Sequence, residues 1–169
     1  FGKDHHLLKS SVALPQFDYV ALGHIHRHQI LGRNPHIVYS GSLQRVDFGE
    51  EDDEKGFCII DLDVSKPLGK RIRDFEFRPV NARNFLTITV KIMSGDKDPT
   101  STVVNAILSN HIEDAIVRVK IKLPAGLNSH LRESEIRNTL DNAHFIASIS
   151  KEIDEEARIR LGRSDSHSL

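Results

Sequence analysis

The sequence is short of several features that would place it in other classes of protein. It has a single cysteine, so no disulfide can form within the chain, which is compatible with a reducing cytosol. It has no run of 18 apolar residues and no signal-like start, so we expect no membrane span and a cytoplasmic location. Neither charge is in excess, with 23 Lys and Arg against 24 Asp and Glu, so net charge gives no support to nucleic-acid binding.

The composition itself is that of a globular protein, with 38% hydrophobic and 28% charged residues. A chain of 169 residues can hold one domain of ordinary size or two small ones. It begins at Phe1 without a methionine, from which we expect a piece of a longer protein. Cys58 lies in the apolar run 57–60, where a buried, unreactive thiol is expected rather than a nucleophile.

The stretch with the clearest chemistry is an apolar strand followed by histidines. Residues 19–22 are uncharged and stop at Gly23, which is typical of a strand buried on both faces. If the extended conformation continues, His24 and His26 point to the same side, at the carboxyl end of the strand. Imidazole is a good ligand for divalent first-row metals, so this pair predicts a metal site. The alternative is two solvated or hydrogen-bonded histidines, since the chain has ten and close pairs arise by chance.

Three ordered blocks then carry a resemblance. They are D-Y-V-A-L-G-H-I-H at 18–26, I-V-Y-S-G-S-L-Q-R-V-D-F-G-E at 37–50 and E-K-G-F-C-I-I-D-L at 54–62. The G-H-I-H resembles the last metal-ligand motif of the calcineurin-like metallophosphoesterases. The blocks together resemble the SbcD-type DNA double-strand-break repair nucleases. Weaker similarity continues through F-R-P-V at 77–80, V-R-V-K-I at 117–121 and E-I-R-N-T-L at 135–140.

The resemblance implies a metal-dependent phosphodiesterase with two ions, most commonly manganese, and makes His24 and His26 ligands, one to each ion. The family's other ligands lie upstream in D-x-H, G-D-x-x-D and G-N-H motifs, which are absent here in the right order. Two segments only imitate them: 165–167 lies in the polar tail, and 95–98 caps a predicted helix. Asp4, His5 and His6 could form a ligand cluster, although a solvated loop is the favoured interpretation. His28 falls outside the family pattern.

The expected fold is mixed α/β or α+β, in two parts. Residues 1–79 are expected to be the C-terminal strands of a metallophosphoesterase β-sandwich. They include a second short strand at 37–39, after a turn at 32–35, and a β-hairpin formed by 57–62 and 72–77. The acidic segment 50–55 is interpreted as a solvated turn. Residues 80–169 follow the order β-α-β-α-β, with strands at 85–93, 116–123 and 145–149 and helices starting near 98 and at 133–142, and predict a two-layer α+β capping module.

Two further groups are candidate contacts for DNA. Arg118, Lys120 and Lys122 alternate along the strand 116–123, about 6.6 Å apart, which approximates the phosphate spacing of a nucleic-acid strand. The alternative is an ordinary solvent face. The loop that contains Ser42 and Arg45 offers backbone N–H groups and a guanidinium to a phosphate, or is simply the turn that ends a strand.

The resulting hypothesis is a DNA nuclease acting at DNA ends in double-strand-break repair, as an exonuclease or endonuclease. By resemblance it works as a homodimer with an SMC-like ATPase subunit, SbcC. Since two histidines cannot hold a dinuclear centre, the chain alone is expected to be inactive. Two alternatives stay open: a DNA- or partner-binding assembly module without metal chemistry, and a phosphoesterase acting on small nucleotides.

Overall fold

The computed structural model describes residues 8–154. The chain divides into two compact units between Ala82 and Arg83, in place of the boundary predicted between 79 and 80. Helices combine with both parallel and antiparallel strands, so the predicted mixed α/β or α+β class is confirmed. No helix within residues 8–154 has the length and apolar character that a membrane span requires. The segments 4–6 and 165–167, singled out above, lie outside the described residues.

The first unit opens with a short helix, α1 (Lys9–Val12), and a three-stranded sheet. Its strands are β1 (Tyr19–Leu22), β2 (Gln29–Arg33) and β3 (His36–Tyr39), in the order β1-β3-β2. β1 pairs with β3 in parallel, and β2 pairs with β3 antiparallel. β2 was not predicted, because the turn signal at 32–35 concealed it; only Asn34 and Pro35 form the turn.

The expectation that β1 is buried on both faces is wrong. β1 is half-buried, with Ala21 exposed, and within the described residues it pairs only with β3. β3 lies between the other two strands, and its Ile37 and Val38 are the buried side chains of this sheet. A strand at the centre of a sheet is shielded by both neighbours, so the apolar character of β1 was misleading about its position.

The predicted hairpin is confirmed as the antiparallel pair β4 (Gly56–Leu62) and β5 (Ile72–Pro79). Its aromatic side chains meet the three-stranded sheet: the Phe75 ring lies 6.2 Å from the Tyr19 ring and 5.2 Å from the His36 ring, centroid to centroid. Cys58 on β4 is half-buried, and burial raises the pKa of its thiol, which therefore stays protonated at neutral pH.

The second unit is a parallel three-stranded sheet with two helices. The elements are β6 (Phe85–Lys91), α2 (Pro99–Leu108), β7 (Ile116–Pro124), α3 (Glu133–Asn138) and β8 (Phe145–Asp154), with strand order β6-β7-β8. The order β-α-β-α-β is as predicted. β6 and α3 end earlier than expected, and β8 runs five residues further than the predicted end at 149. A six-residue 3₁₀ segment, Ala125–His130, links β7 to α3.

The core of the second unit joins both helices to one face of the sheet. α2 contributes Val103 and Ile107, α3 contributes Ile136, and the strands contribute alternate residues. Those alternate strand residues are Ile88, Val90, Val117, Val119, Ile121 and Leu123. Alternation along β7 therefore leaves Arg118, Lys120 and Lys122 on the opposite face, as predicted.

The start of α2 is also as predicted. Asp98 is the N-cap, and its carboxylate accepts hydrogen bonds from the Ser101 N–H at 3.3 Å and the Ser101 hydroxyl at 2.7 Å. The hydrogen bond from the Ser101 hydroxyl is the main reason why the pKa of Asp98 is lowered. Pro99 stands at the first helical position, where its missing N–H costs nothing.

Candidate metal centre

The candidate centre lies where two parallel strands end side by side. β1 and β3 run in parallel with Leu22 opposite Tyr39, so the loops that follow them, 23–28 and 40–42, leave the sheet at the same edge. Carboxyl ends of neighbouring parallel strands are where α/β sheets place their ligand sites. The first loop carries the histidines, and the second carries Gly41 and Ser42.

The geometric reason given for pairing His24 with His26 does not hold. β1 ends at Leu22, and His24 adopts a left-handed backbone conformation with φ of 77°. The extended run is therefore interrupted between the two histidines, and strand alternation says nothing about their relative direction. Both histidines are exposed, and His24 has no side-chain hydrogen bond to another residue in the described part of the chain.

His26 is anchored by a carboxylate. Its Nδ1 lies 2.8 Å from Oε1 of Glu50, which sits at the end of a single 3₁₀ turn, Phe48–Glu50. An ionised carboxylate only accepts, so Nδ1 carries the proton and donates it, and in the neutral ring Nε2 keeps the lone pair. The side chain of His26 is 47% exposed, whereas that of Glu50 is 12% exposed. The ring is thus held from the protein side, and Nε2 makes no hydrogen bond to another residue within 8–154.

The backbone of His26 is held as firmly as its ring. Its carbonyl oxygen accepts from the Ser42 N–H at 3.0 Å and from Nζ of Lys55 at 3.1 Å. Gly41 makes this approach possible, because it has φ of 85° and a Cβ there would lie 2.9 Å from the same carbonyl oxygen. The loop after β3 therefore packs directly against the backbone of the histidine loop.

The segment 50–55 is not the solvated turn that the sequence predicted. Lys55 has no exposed side-chain surface, and its Nζ lies 2.7 Å from Oε2 of Glu50 and 3.6 Å from Oδ2 of Asp53. The Asp53 side chain is only 14% exposed and also lies 3.5 Å from Nε of Arg27. A buried ammonium needs this many oxygen partners, because leaving the charge unpaired away from water would cost several kcal/mol.

Glu50 is consequently charged at any ordinary pH. Burial by itself would raise its pKa, but the hydrogen bonds from Lys55, from His26 and from the Val46 N–H at 3.2 Å outweigh burial and lower the pKa to about 2. Both carboxylate oxygens are occupied: Oε1 by His26, and Oε2 by Lys55 and Val46.

His28 has a structural environment of its own. Its Nδ1 lies 3.0 Å from the carbonyl oxygen of Tyr39, and its ring stacks on Phe77 with centroids 4.0 Å apart. It was not assigned to metal from the sequence.

Ser42 and Arg45, the predicted phosphate contacts, are engaged within the first unit. The Ser42 hydroxyl donates to the Gln44 carbonyl at 2.7 Å. The Arg45 guanidinium donates from Nε to the Glu50 carbonyl at 3.1 Å, and from its two terminal nitrogens to the Asp53 and Ala82 carbonyls at 3.0 and 3.3 Å. These bonds brace the segment that contains Glu50. A phosphate contact by either side chain stays a prediction.

The basic residues of β7 lie on the polar face of the second unit's sheet. Nε of Arg118 donates to the Thr87 hydroxyl at 2.8 Å, and Nζ of Lys122 lies 3.2 Å from Oε2 of Glu152. The strand register adds Lys91 beside Lys122, so two neighbouring strands place four cations on this face. Within the described residues Lys120 has no ion pair or side-chain hydrogen bond.

The donor chemistry of the centre suits a divalent first-row metal. In the neutral ring, Nε2 of His26 offers a lone pair while Nδ1 is hydrogen-bonded to a carboxylate, which is the usual environment of a metal-bound histidine. Among residues 8–154 there is no group of three or more His, Cys, Asp or Glu side chains that could hold an ion. The assignment of His24 and His26 as metal ligands stays a prediction.

Sequence reasoning missed Glu50 and Lys55, the two residues that organise the centre. The E-E-D-D-E-K run at 50–55, directly before β4, looks like a polar turn, and nothing in it separates the buried Glu50 and Lys55 from the exposed Asp52 and Glu54. Only the close approach of this run to His26 distinguishes them.

Comparison with known proteins gives partial matches, and no family model matches the chain. It is 27% identical over 110 residues to the SbcD component of the nuclease SbcCD of Staphylococcus epidermidis, covering 62% of this chain and 28% of that protein. It is 34% identical over 104 residues to the DNA double-strand break repair protein Mre11 of Methanocaldococcus jannaschii, covering 56% of this chain and 25% of that protein. The chain spans about a quarter of the length of these curated relatives. The predicted resemblance to SbcD-type nucleases is thereby confirmed.

Proposed function

We propose that this chain is part of a metal-dependent DNA nuclease in which His24 and His26 are two of the metal ligands. The observation that carries the proposal is the His26–Glu50 pair, which leaves Nε2 as the ligating nitrogen at the carboxyl ends of two parallel strands. The similarity to the SbcD component of the nuclease SbcCD supports the same assignment. The centre as a whole would take two divalent ions, with manganese the expected metal.

Two such ions, when bound, would activate a water molecule and hold the scissile phosphate. In that centre His24 and His26 would each hold one ion, and the remaining ligands would come from motifs that this sequence does not contain in the right order. It follows that the chain by itself does not cleave DNA. The first unit then corresponds to the last strands of a metallophosphoesterase domain.

The second unit is proposed to present the DNA. Its polar sheet face carries Arg118, Lys120 and Lys122, and phosphate contacts by such cations position a duplex without reading its sequence. The proposed substrate is a double-stranded DNA end in the repair of double-strand breaks. The proposal covers cleavage as an exonuclease and as an endonuclease. The proposed partners are the SMC-like ATPase subunit SbcC and a second copy of the protein, in the cytoplasm.

Metal binding tests the proposal directly. Titrating the ¹⁵N-histidine-labelled chain with Mn²⁺ should broaden the His24 and His26 ring signals before all other histidine signals. His24→Ala and His26→Ala should each weaken binding, and His111→Ala, which removes an exposed histidine of the second unit, should not. Equal broadening of all histidine signals would remove the metal assignment.

A cleavage assay tests the statement that the chain by itself does not cleave DNA. The chain incubated with linear duplex and Mn²⁺ should leave the DNA intact, because the ligand set is incomplete. Cleavage that EDTA abolishes would show that the chain holds a complete centre and would overturn this part of the proposal.

DNA binding by the second unit has its own signature. Changing Arg118, Lys120 and Lys122 together to Ala should weaken duplex binding and lower the slope of log K against log salt by about 0.9 for each phosphate that is no longer neutralised. The matched control changes three exposed lysines, Lys66, Lys70 and Lys97, which removes the same charge. An identical slope in both triple variants would exclude the β7 cations from DNA binding.

A further inference from the structure

The buried ion cluster around Lys55 holds one histidine at two points. Nζ of Lys55 donates to the backbone carbonyl of His26 at 3.1 Å and to Oε2 of Glu50 at 2.7 Å, while Oε1 of Glu50 accepts from the ring of the same His26 at 2.8 Å. The backbone and the ring of His26 are therefore fixed by one ammonium and one carboxylate. His24, two residues away, has no such anchor in the described part of the chain.

The direction of these hydrogen bonds settles which atoms of Glu50 and His26 face each other. Lys55 and the Val46 N–H are donors only, so the atom that they share, Oε2, must be an acceptor. Oε1 accepts a hydrogen bond from the His26 ring and Oε2 accepts from Lys55 and Val46, so both oxygens of Glu50 are engaged within the first unit. Its role toward the centre is therefore exerted through His26.

We propose that Glu50 is a positioning residue that fixes His26 in the Nδ1–H tautomer with Nε2 free to ligate, and that Lys55 fixes the orientation of Glu50. The proposal rests on the assignment of His26 as a metal ligand. A carboxylate behind a ligating histidine fixes the ring and strengthens the donor nitrogen, and removing such a partner typically weakens metal binding about 10- to 100-fold.

The contrasting interpretation is that the Glu50–Lys55 pair is a structural ion pair and no more. Both interpretations predict that its loss destabilises the first unit. Only the positioning role predicts a change in the tautomer of one histidine, and Glu50→Gln separates the two.

Glu50→Gln keeps the shape of the side chain but replaces one oxygen by an NH₂ group. Because Lys55 and Val46 both donate to the inner atom, the amide oxygen must face them, and the NH₂ group must face His26. An NH₂ group needs an acceptor, so Nδ1 of His26 has to give up its proton, and the ring changes to the Nε2–H tautomer. In that tautomer Nε2 no longer offers a lone pair to a metal.

The experiment is long-range ¹H–¹⁵N correlation of the ¹⁵N-histidine-labelled chain at about pH 8, where an imidazole of ordinary pKa is neutral. The expected result is Nδ1–H for His26 in the unsubstituted chain and Nε2–H in Glu50→Gln. His28 is the internal control, because its Nδ1 faces the Tyr39 carbonyl and must stay Nδ1–H in both. An unchanged His26 tautomer in folded Glu50→Gln would overturn the proposal.

The unsubstituted chain decides the question even if Glu50→Gln does not fold, because finding His26 in the Nε2–H tautomer there would be enough to reject the positioning role. Mn²⁺ titration separates this outcome from a failure of the proposed function. Suppose that the tautomer changes in Glu50→Gln but Mn²⁺ does not selectively broaden the His24 and His26 signals of the unsubstituted chain. The positioning role would then be retained, and the metal assignment would be rejected. Selective broadening in the unsubstituted chain, with equal Mn²⁺ affinity in Glu50→Gln, would retain the metal and reject the positioning.

Discussion

The two units of the chain are stabilised in contrasting ways. The second unit has a continuous apolar core in which helix and strand residues such as Val103, Ile121 and Ile136 are fully buried. In the first unit, among the described residues, the largest fully buried side chain is that of Lys55, and Glu50 is buried beside it. The unit that carries the candidate metal centre therefore buries charge, whereas the other unit buries a packed apolar core.

The two units can be followed separately in one sample. The chain has no tryptophan, and both tyrosines, Tyr19 and Tyr39, precede the boundary at Ala82, so tyrosine fluorescence reports on the first unit. The two longer described helices, α2 and α3, both lie in the second unit, so far-UV circular dichroism at 222 nm reports mainly on that unit.

The largest expected effect is at the buried cation. Lys55→Ala leaves Glu50 buried without its main partner, and losing one partner of a buried ion pair typically costs about 3–5 kcal/mol. The tyrosine-detected urea midpoint should fall steeply, and the circular dichroism transition should stay in place. Lys66→Ala, at an exposed position of the same unit, is the control. If both lysine variants unfold at the same urea concentration, the ion cluster contributes nothing to stability.

The second unit should respond to a cavity instead. Ile121→Ala removes a side chain with no exposed surface from the centre of β7, which typically costs about 2–5 kcal/mol. The circular dichroism transition should move and the tyrosine transition should not. Lys120→Ala, one residue earlier on the polar face, should change the free energy of unfolding by no more than about 0.5 kcal/mol. A comparable loss in Lys120→Ala would contradict the assignment of faces.

A smaller effect is expected where the two loops of the centre touch. Gly41→Ala places a Cβ 2.9 Å from the His26 carbonyl oxygen, on a residue with φ of 85°, and such strain costs about 1–3 kcal/mol. The His26 ring signals should shift in the same spectra used above. Gly23→Ala is the matched control in the same region, because a Cβ there meets nothing within 4 Å. Equal responses of the two variants would argue against the close packing of the loops.

Lowering the pH should have the smallest effect on the stability of the first unit over the pH range that can be measured. The pKa of Glu50 is about 2 in the folded chain, below its ordinary value, so its contribution to stability is complete above about pH 4.5 and is lost as the pH falls toward 2. The tyrosine-detected free energy of unfolding should decline between about pH 4.5 and 3.5, because protons bind the unfolded chain first. Glu50→Gln should decline less over that interval, and parallel curves would assign the acid sensitivity to other groups.

The sequence predicted best where one physical rule acts alone. The alternation of β7, the Asp98–Pro99 helix start and the hairpin at 57–77 each follow from local pattern, and all three are present. Sequence reasoning failed where burial depends on a segment that is distant in the sequence. β1 is half-buried because β3 occupies the centre of the sheet. Glu50 and Lys55 of the acidic segment are buried because the segment packs against the histidine loop.

The sequence by itself determined the resemblance to SbcD-type nucleases, the order of most helices and strands and the face on which the cations of β7 lie, because periodicity and motif spacing are local properties. Only the tertiary structure decided that Glu50 meets His26 and that Lys55 lies beneath both. Those contacts join residues 24 and 29 positions apart, and only the folded chain brings them within hydrogen-bonding distance.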